Sequence, residues 1–182
     1  KAANEAKERA AKRFNLDPKK DLFYFRTLHS LALTCSDIRP EQVMQDENYR
    51  ELSKKIGVGL NVQRVNSFDE DIPEATKTSD PILGLINLAR MRKVPLRQQY
   101  NETPIETEWN IVTYVDQCLT SYKENMEMYD FTDMLESFPQ EGHITCPNFD
   151  LCFVDEAQDL SPLQWDIAHL LDERSKRMYC AG

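Results

Sequence analysis

Glycine is scarce in this sequence: only Gly57, Gly59, Gly84, Gly142 and Gly182 occur among 182 residues. Average usage is about 7%, and few residues free to take positive φ mean few tight turns and a helix-rich chain. No G-x-x-x-x-G-K-[ST] and no G-x-G-x-x-G is present, so these residues encode no glycine-rich phosphate cradle. Positive charge is also short, with 22 Lys+Arg against 31 Asp+Glu and a net charge of -9. That balance excludes a generally basic protein that coats nucleic acid. The five cysteines, Cys35, Cys118, Cys146, Cys152 and Cys180, are odd in number, dispersed and without a C-x-x-C. They give no disulfide framework or zinc ribbon and point to a reducing, cytoplasmic setting. His143-x-x-Cys146 with Cys152 beyond it lacks a fourth ligand at finger-like spacing. No apolar run approaches the ~18 residues that a membrane span needs. Residues 1–14 are charged throughout, unlike a secretory signal.

What is present suits one compact domain, or one domain carrying a smaller inserted lobe. Apolar residues make up 41% and charged residues 29%, enough to build a core. The chain enters directly into the helix former KAANEAKERAAKRF with no capping residue before it, and it stops on a glycine just after an expected strand. Both ends predict a piece of a longer protein. Charge is uneven as well. Residues 1–26 hold eight Lys/Arg and four Asp/Glu, a balance of +4, and the remainder carries -13. A local basic patch therefore survives the acidic total.

The pattern predicts helices over 1–14, 27–34, 46–56 and 81–93, the last entered through Ser79-Asp80-Pro81 and stopped before Pro95. Thr103-Pro104-Ile105-Glu106 reads as a capping box opening a long helix to about residue 126. Residues 130–138 form a short helix stopped by Pro139. Ser161-Pro162-Leu163-Gln164 is a second capping box, for a helix to about residue 172. Strands are expected at 22–26 (LFYFR), at 149–154 (FDLCFV, apolar enough for a buried parallel strand) and at 177–181, with a polar loop over 67–77.

The chemistry concentrates in LCFVDEAQD, residues 151–159. Ligands of open α/β sheets bind beyond the carboxyl ends of the strands. An aspartate there, Asp155, can hold Mg²⁺ through water, because Mg²⁺ keeps several waters and takes few carboxylates. The adjacent Glu156 points elsewhere and can orient and deprotonate a water. Gln158 and Asp159 follow in the turn before the next helix.

FVDEAQDLSPLQW resembles the Walker B segment of UvrD/Rep-like superfamily 1 DNA helicases. Other segments agree in order. KAANEAKERAAKRF resembles the tail of that family's first DNA-contacting motif, and RTLHSLAL resembles the next, T-x-H-S-x-A. SYKENMEMYDFTDML resembles the stretch Y-x-x-Y-K-x-x-N-x-x-D-F-x-D-L-L, and MYCAG resembles the strand leading into G-D-x-x-Q. The resemblance covers roughly 1–37 and 110–182. By position, residues 40–105 resemble the family's helical accessory lobe. The fold implied is α/β: a partial P-loop NTPase (RecA-like) parallel sheet with a mostly helical inserted lobe. Its divisions are motor residues 1–37, lobe residues 38–108 and motor residues 109–182. The P-loop would precede Lys1, and a second motor domain would supply the arginine fingers.

The resemblance implies an ATP-dependent DNA helicase that translocates on single strands, with ATP and Mg²⁺ as cofactors. Asp155 would ligate Mg²⁺ through water, Glu156 would be the general base, and Gln158 would couple the nucleotide and DNA sites. Lys1, Thr27 and His29 would contact single-stranded DNA; hydroxyl and imidazole donors suit phosphate oxygens. A core histidine at a helix start is the other reading of His29. Asp159 would cap the following helix, Asp130 would cap its own helix, and Asp133 would join a polar network. Trp109, Trp165, Phe131 and Phe138 are expected in the core. The rival function is a non-catalytic DNA- or protein-interaction domain of the same ancestry. A superfamily 2 D-E-A-D-type RNA helicase is disfavoured by QDLSPLQ after the D-E-A, and by TLHSLAL and YDFTDML.

Overall fold

A computed structural model describes residues 2–61, 80–142 and 145–182. Lys1, the expected loop at 67–77 and His143 lie outside these. Helix α1 spans Ala2–Phe14 and α2 spans Leu28–Cys35. Helix α3 spans Asp46–Ile56, with Asp46 and Glu47 in its first turn and Lys54 and Lys55 in its last, both favourable to the helix dipole. Gly57 ends it at φ 70°, a left-handed geometry that glycine takes without Cβ strain. Helix α4 spans Pro81–Arg92, and Asp80 caps it by accepting from the backbone N–H of Ile82 (2.9 Å) and Leu83 (3.1 Å). Helices α5 (Leu96–Glu102), α6 (Trp109–Met126) and α7 (Phe131–Ser137) follow. Strand β1 (Cys152–Val154), a 3₁₀ turn (Ala157–Asp159), α8 (Pro162–Glu173) and β2 (Met178–Cys180) complete the order.

Three apolar clusters organise these elements, the smallest made of Leu33 of α2, Ile38, Val43 and Met134 of α7. The first gathers Leu52 of α3, Leu83 and Ile86 of α4, and Val112, Val115 and Leu119 of α6. The second gathers Leu31 and Ala32 of α2, Leu135 of α7, Phe138, and Leu163 and Ile167 of α8. Helix α4 packs against α5 and α6 on one side and α7 and α8 on the other, so it bridges the cores. The chain enters and leaves the first core side by side. Tyr129 donates to the Gln42 carbonyl and Met44 donates to the Tyr129 carbonyl, each at 2.8 Å. Strands β1 and β2 pair in parallel, with Cys152 opposite Met178, Phe153 opposite Tyr179 and Val154 opposite Cys180. The α8 crossover between them is the connection that parallel strands require.

Four expectations are corrected. Residues 22–26 are not a strand but a turn leading into extended backbone. Arg26 holds this turn by donating from Nε to the Phe23 carbonyl (2.5 Å), with its guanidinium 4.3 Å over the Phe23 ring. The capping box at Thr103 does not form. Thr103 instead ends α5, donating its N–H to the Tyr100 carbonyl (3.4 Å) while its hydroxyl accepts from Gln99 (2.8 Å), and the long helix starts only at Trp109. Pro139 does not stop α7, which runs on into a wider π turn, Phe138–Gly142. Finally, β1 is not buried on both faces. Val154 is buried, while Phe153 is 70% exposed and stacks on the half-exposed Tyr179, ring centroids 5.3 Å apart. The aromatic assignments hold for Phe138, which is wholly buried, and for Trp109 and Phe131, which pack on the cores.

A part-buried ion network centred on buried Asp130 joins three helices. Arg90 of α4 donates from Nη1 to both Asp130 carboxylate oxygens (3.1 and 2.8 Å), and from Nε and Nη2 to Glu136 (3.1 and 2.7 Å). Its Nη2 also donates to Asp133. Lys123 of α6 reaches Asp130 at 2.7 Å and Asp133 at 2.8 and 2.9 Å. Asp130 and Asp133 cap α7 reciprocally, with the Asp133 N–H donating to Asp130 (2.8 Å) and the Asp130 N–H to Asp133 (2.7 Å). The expected cap and network roles of these two aspartates are therefore both present. Removing one partner of a buried ion pair costs about 3–5 kcal/mol, because the other charge is left uncompensated. Arg90→Met is expected to lose that amount in urea unfolding. Lys55→Met, which breaks the exposed 2.8 Å pair with Glu51, is expected to lose under about 1 kcal/mol.

Candidate active site

Backbone hydrogen bonds carry the sheet beyond its last paired residues. Ala181 donates to the Val154 carbonyl (2.9 Å), and Ala157 donates to the Ala181 carbonyl (2.8 Å). Asp155 and Glu156 are the two residues inside that loop, set at the carboxyl edge of the parallel pair. Ala157 is buried and anchors the turn, while Asp155, Glu156, Gln158 and Asp159 are exposed. Glu156 adopts the left-handed conformation, φ 52° and ψ 41°. That geometry is unusual for a residue with a Cβ, and such residues cluster at functional sites. The turn is closed by the Asp159 N–H donating to the Glu156 carbonyl (3.0 Å).

The side chains of the turn are not independent. Gln158 Nε2 donates to Glu156 Oε2 at 2.6 Å. The Gln158 amide also lies over Gly182, so that a Cβ at that position would collide with it. Glycine at 182 therefore leaves room for the side chain that orients Glu156. Asp159 does not cap the next helix. Ser161 does so, accepting from the Gln164 N–H (3.3 Å), while Gln164 accepts from the Ser161 N–H (2.9 Å). Serine at the position directly before Pro162 is the better placed of the two.

The donor set at the sheet edge suits one class of metal. Among the described residues no group of three or more His, Cys, Asp or Glu could enclose an ion. One exposed aspartate with an adjacent glutamate fits a hard cation that keeps its waters and completes its shell with substrate oxygens, which is the habit of Mg²⁺.

The second set of expected site residues lies on α2. Thr27 is its N-cap, accepting from the Ser30 N–H at 3.2 Å, so its hydroxyl shapes the helix start. His29 sits with its ring against Phe131, centroids 5.7 Å apart. Burial pushes its pKa down to about 4, so the imidazole is neutral at neutral pH. It can donate one N–H but supplies no positive charge. Arg26, which the motif reading passed over, donates from Nη1 to Ser30 (3.2 Å) and Thr34 (2.9 Å). Its place directly before Thr27, in the basic 1–26 segment, was the available signal. Helix α2 and strand β1 share the second core.

A family model described as UvrD/REP helicase N-terminal domain matches residues 1–182. Comparison with curated proteins finds no match, and comparison with solved structures finds none either.

The lowered pKa of His29 has a measurable sign. The unfolded chain takes the proton near pH 6.5 and the folded chain only near 4. Stability is therefore full above pH 6.5 and falls as the pH drops toward 4. His29→Asn is expected to flatten the decline of Tm between those limits, and an unchanged slope in thermal melts would show that the imidazole is not held neutral.

Proposed function

The chain belongs to the UvrD/REP helicase N-terminal domain family, and on that premise we propose that it is part of the first motor domain of an ATP-dependent translocase on single-stranded DNA. The observation that carries this reading is the Asp155–Glu156–Gln158 turn at the carboxyl end of a parallel strand, with Gln158 hydrogen-bonded to Glu156. The proposed division is motor residues 1–37 and 109–182 around lobe residues 38–108, in a P-loop NTPase (RecA-like) sheet. The first core and the paired entry and exit at Gln42–Met44 and Tyr129 support an inserted lobe, although α6 packs inside that core and the exit pairs at Tyr129, beyond the boundary at 108. Among the described residues no helix is long and apolar enough to cross a membrane, and the proposed setting is cytoplasmic.

In this reading Asp155 holds Mg²⁺ through water. The metal supplies charge neutralisation on the β- and γ-phosphates of ATP. Glu156 accepts the proton of the attacking water. Gln158 holds one oxygen of Glu156, leaving the other for the water. Lys1, Thr27, His29 and the basic 1–26 segment follow the phosphates of the strand. A second motor domain would close over the nucleotide and turn hydrolysis into steps. The rival, a non-catalytic interaction domain, draws on the absence of a glycine-rich phosphate loop from these 182 residues.

In the intact helicase, Glu156→Gln keeps shape and removes the base. Turnover is expected to fall by about 10²–10⁴ with nucleotide binding retained. Asp155→Asn is expected to weaken Mg²⁺–ATP binding as well, because Asp155 would hold the metal whose charge offsets that of the phosphates. ATPase rate and nucleotide affinity, measured with single-stranded DNA present, separate the two effects. Near-normal turnover in Glu156→Gln would favour the non-catalytic rival.

The 182-residue chain alone is expected to show no Mg²⁺-dependent ATP turnover. It should bind single-stranded DNA weakly, with affinity that drops steeply as salt rises. Fluorescence anisotropy across a salt series checks this, and tight, salt-insensitive binding would place the DNA on another surface.

A further inference from the structure

Two cysteines remote in sequence meet in the second core. Cys35 ends α2, and Cys146 lies between the π turn and β1. Both are buried, packed with Leu31, Leu135 and Leu163. Each thiol lies near enough to shift the titration of the other. The backbone on each side is held too. Thr145 Oγ1 donates to the Cys35 carbonyl, and Arg174 Nη1 donates to the Cys146 carbonyl at 2.6 Å. The Cys146 side chain, together with the Arg26 and Arg174 guanidiniums, holds the Cys35 thiol down to about 7 against burial. Cys35 and burial push Cys146 up. The two thiols therefore divide the roles, Cys35 as the more acidic, attacking sulfur and Cys146 as the resolving one, in one buried cluster whose backbones are joined through Thr145.

We propose that Cys35 and Cys146 are a reversible dithiol–disulfide site, whose oxidation ties the end of α2 to the segment that leads into β1. The co-reactant is a small-molecule disulfide such as oxidised glutathione. The Cys35 thiolate attacks one of its sulfurs, the S–S bond breaks, and the departing thiolate takes a proton. Cys146 then loses its proton and attacks the Cys35 sulfur of the mixed disulfide, expelling the second small thiol. Two protein thiols are oxidised and one small disulfide is reduced to two thiols. In a reducing cytosol the pair stays open. Burial makes the first attack wait for local opening at the end of α2, so exposed Cys180 reacts sooner. The site does not depend on the helicase reading. It would connect the helix that carries Thr27 and His29 to the strand that presents Asp155.

The test treats the 182-residue chain with oxidised glutathione, blocks remaining thiols with iodoacetamide and maps the peptides by mass. A Cys35–Cys146 linked peptide is expected, reversed by dithiothreitol, absent from Cys35→Ser and Cys146→Ser and retained in Cys118→Ser and Cys180→Ser. Recovery of both residues as alkylated thiols after Cys180 has fully reacted would overturn the proposal, as would linkage of Cys146 to Cys152. The unsubstituted chain gives a second readout that no folding defect can confuse. Its Cys35 alkylation rate should rise with a midpoint near pH 7, and a midpoint at the ordinary thiol value would count equally against the proposal.

Discussion

The part-buried Arg90 and Lys123 cations, shared among Asp130, Asp133 and Glu136, are the constraint on which the two halves of this structure depend. Asp130 is almost fully buried, and burial alone would raise its pKa. Arg90 and Lys123 outweigh that and hold it below the usual carboxylate range. Asp133 goes the other way, raised by burial and by the Asp130 charge beside it. Two adjacent carboxylates are kept together because a guanidinium and an ammonium face both of them. Each cation comes from a different helix, Arg90 from α4 and Lys123 from α6, while the carboxylates belong to the start of α7. The helix cap that starts α7 is therefore made of the same atoms that fasten it to the first core.

That fastening explains why α4 bridges the cores although its apolar residues serve mainly the first. Ile82, Leu83, Leu85 and Ile86 fill the core with α3 and α6. The C-terminal turn of α4 then supplies Arg90 to α7 and Lys93 to Asp166 of α8, at 2.5 Å. Lys93 itself takes the left-handed conformation, φ 55°, which ends the helix and turns the chain into α5. The polar end of one helix thus sets how the first core sits on the second, and the second core positions β1. The exposed Lys93 pair adds little by itself. The Arg90 network carries the coupling because it is largely withdrawn from water.

Much of this was legible in the sequence where local chemistry decides structure. Thr27, Asp80, Asp130 and Ser161 all cap helices as their residue types predict, and Gly57 ends α3 as a glycine should. Asp155 and Glu156 stand at the carboxyl end of a strand paired in parallel, as FDLCFV followed by an acidic pair implies. The misreadings arise where two local signals competed or where tertiary partners decide. Thr103 satisfies both a capping box and the end of α5, and the Gln99 amide chose the second. LFYFR has strand composition, but Arg26 folds back over Phe23 and uses its donors on Ser30 and Thr34. Neither Arg90 nor Cys35 carries a motif. Their importance comes from partners more than 30 residues away in sequence, which no periodicity encodes.

The electrostatics of the proposed strand-binding side follow from the same packing. His29 is neutral, because setting its ring against Phe131 costs the charged form its hydration. It can orient a phosphate oxygen by one hydrogen bond, but it releases no counterion when it does so. Arg26 is engaged on α2 and with the Phe23 ring, so its charge is held at the helix start rather than extended into solvent. Attraction to a polyanion must then come from exposed lysines and arginines of the 1–26 segment, set against an acidic remainder that repels it. On the proposed reading, Thr27 and His29 would fix where a strand lies, and charges on and after α1 would decide whether it approaches at all. On this division of labour, neutral replacement of Lys12, Arg13, Lys19 or Lys20 changes the salt dependence of binding. Replacement of His29 changes the register of contact and leaves the salt slope where it was.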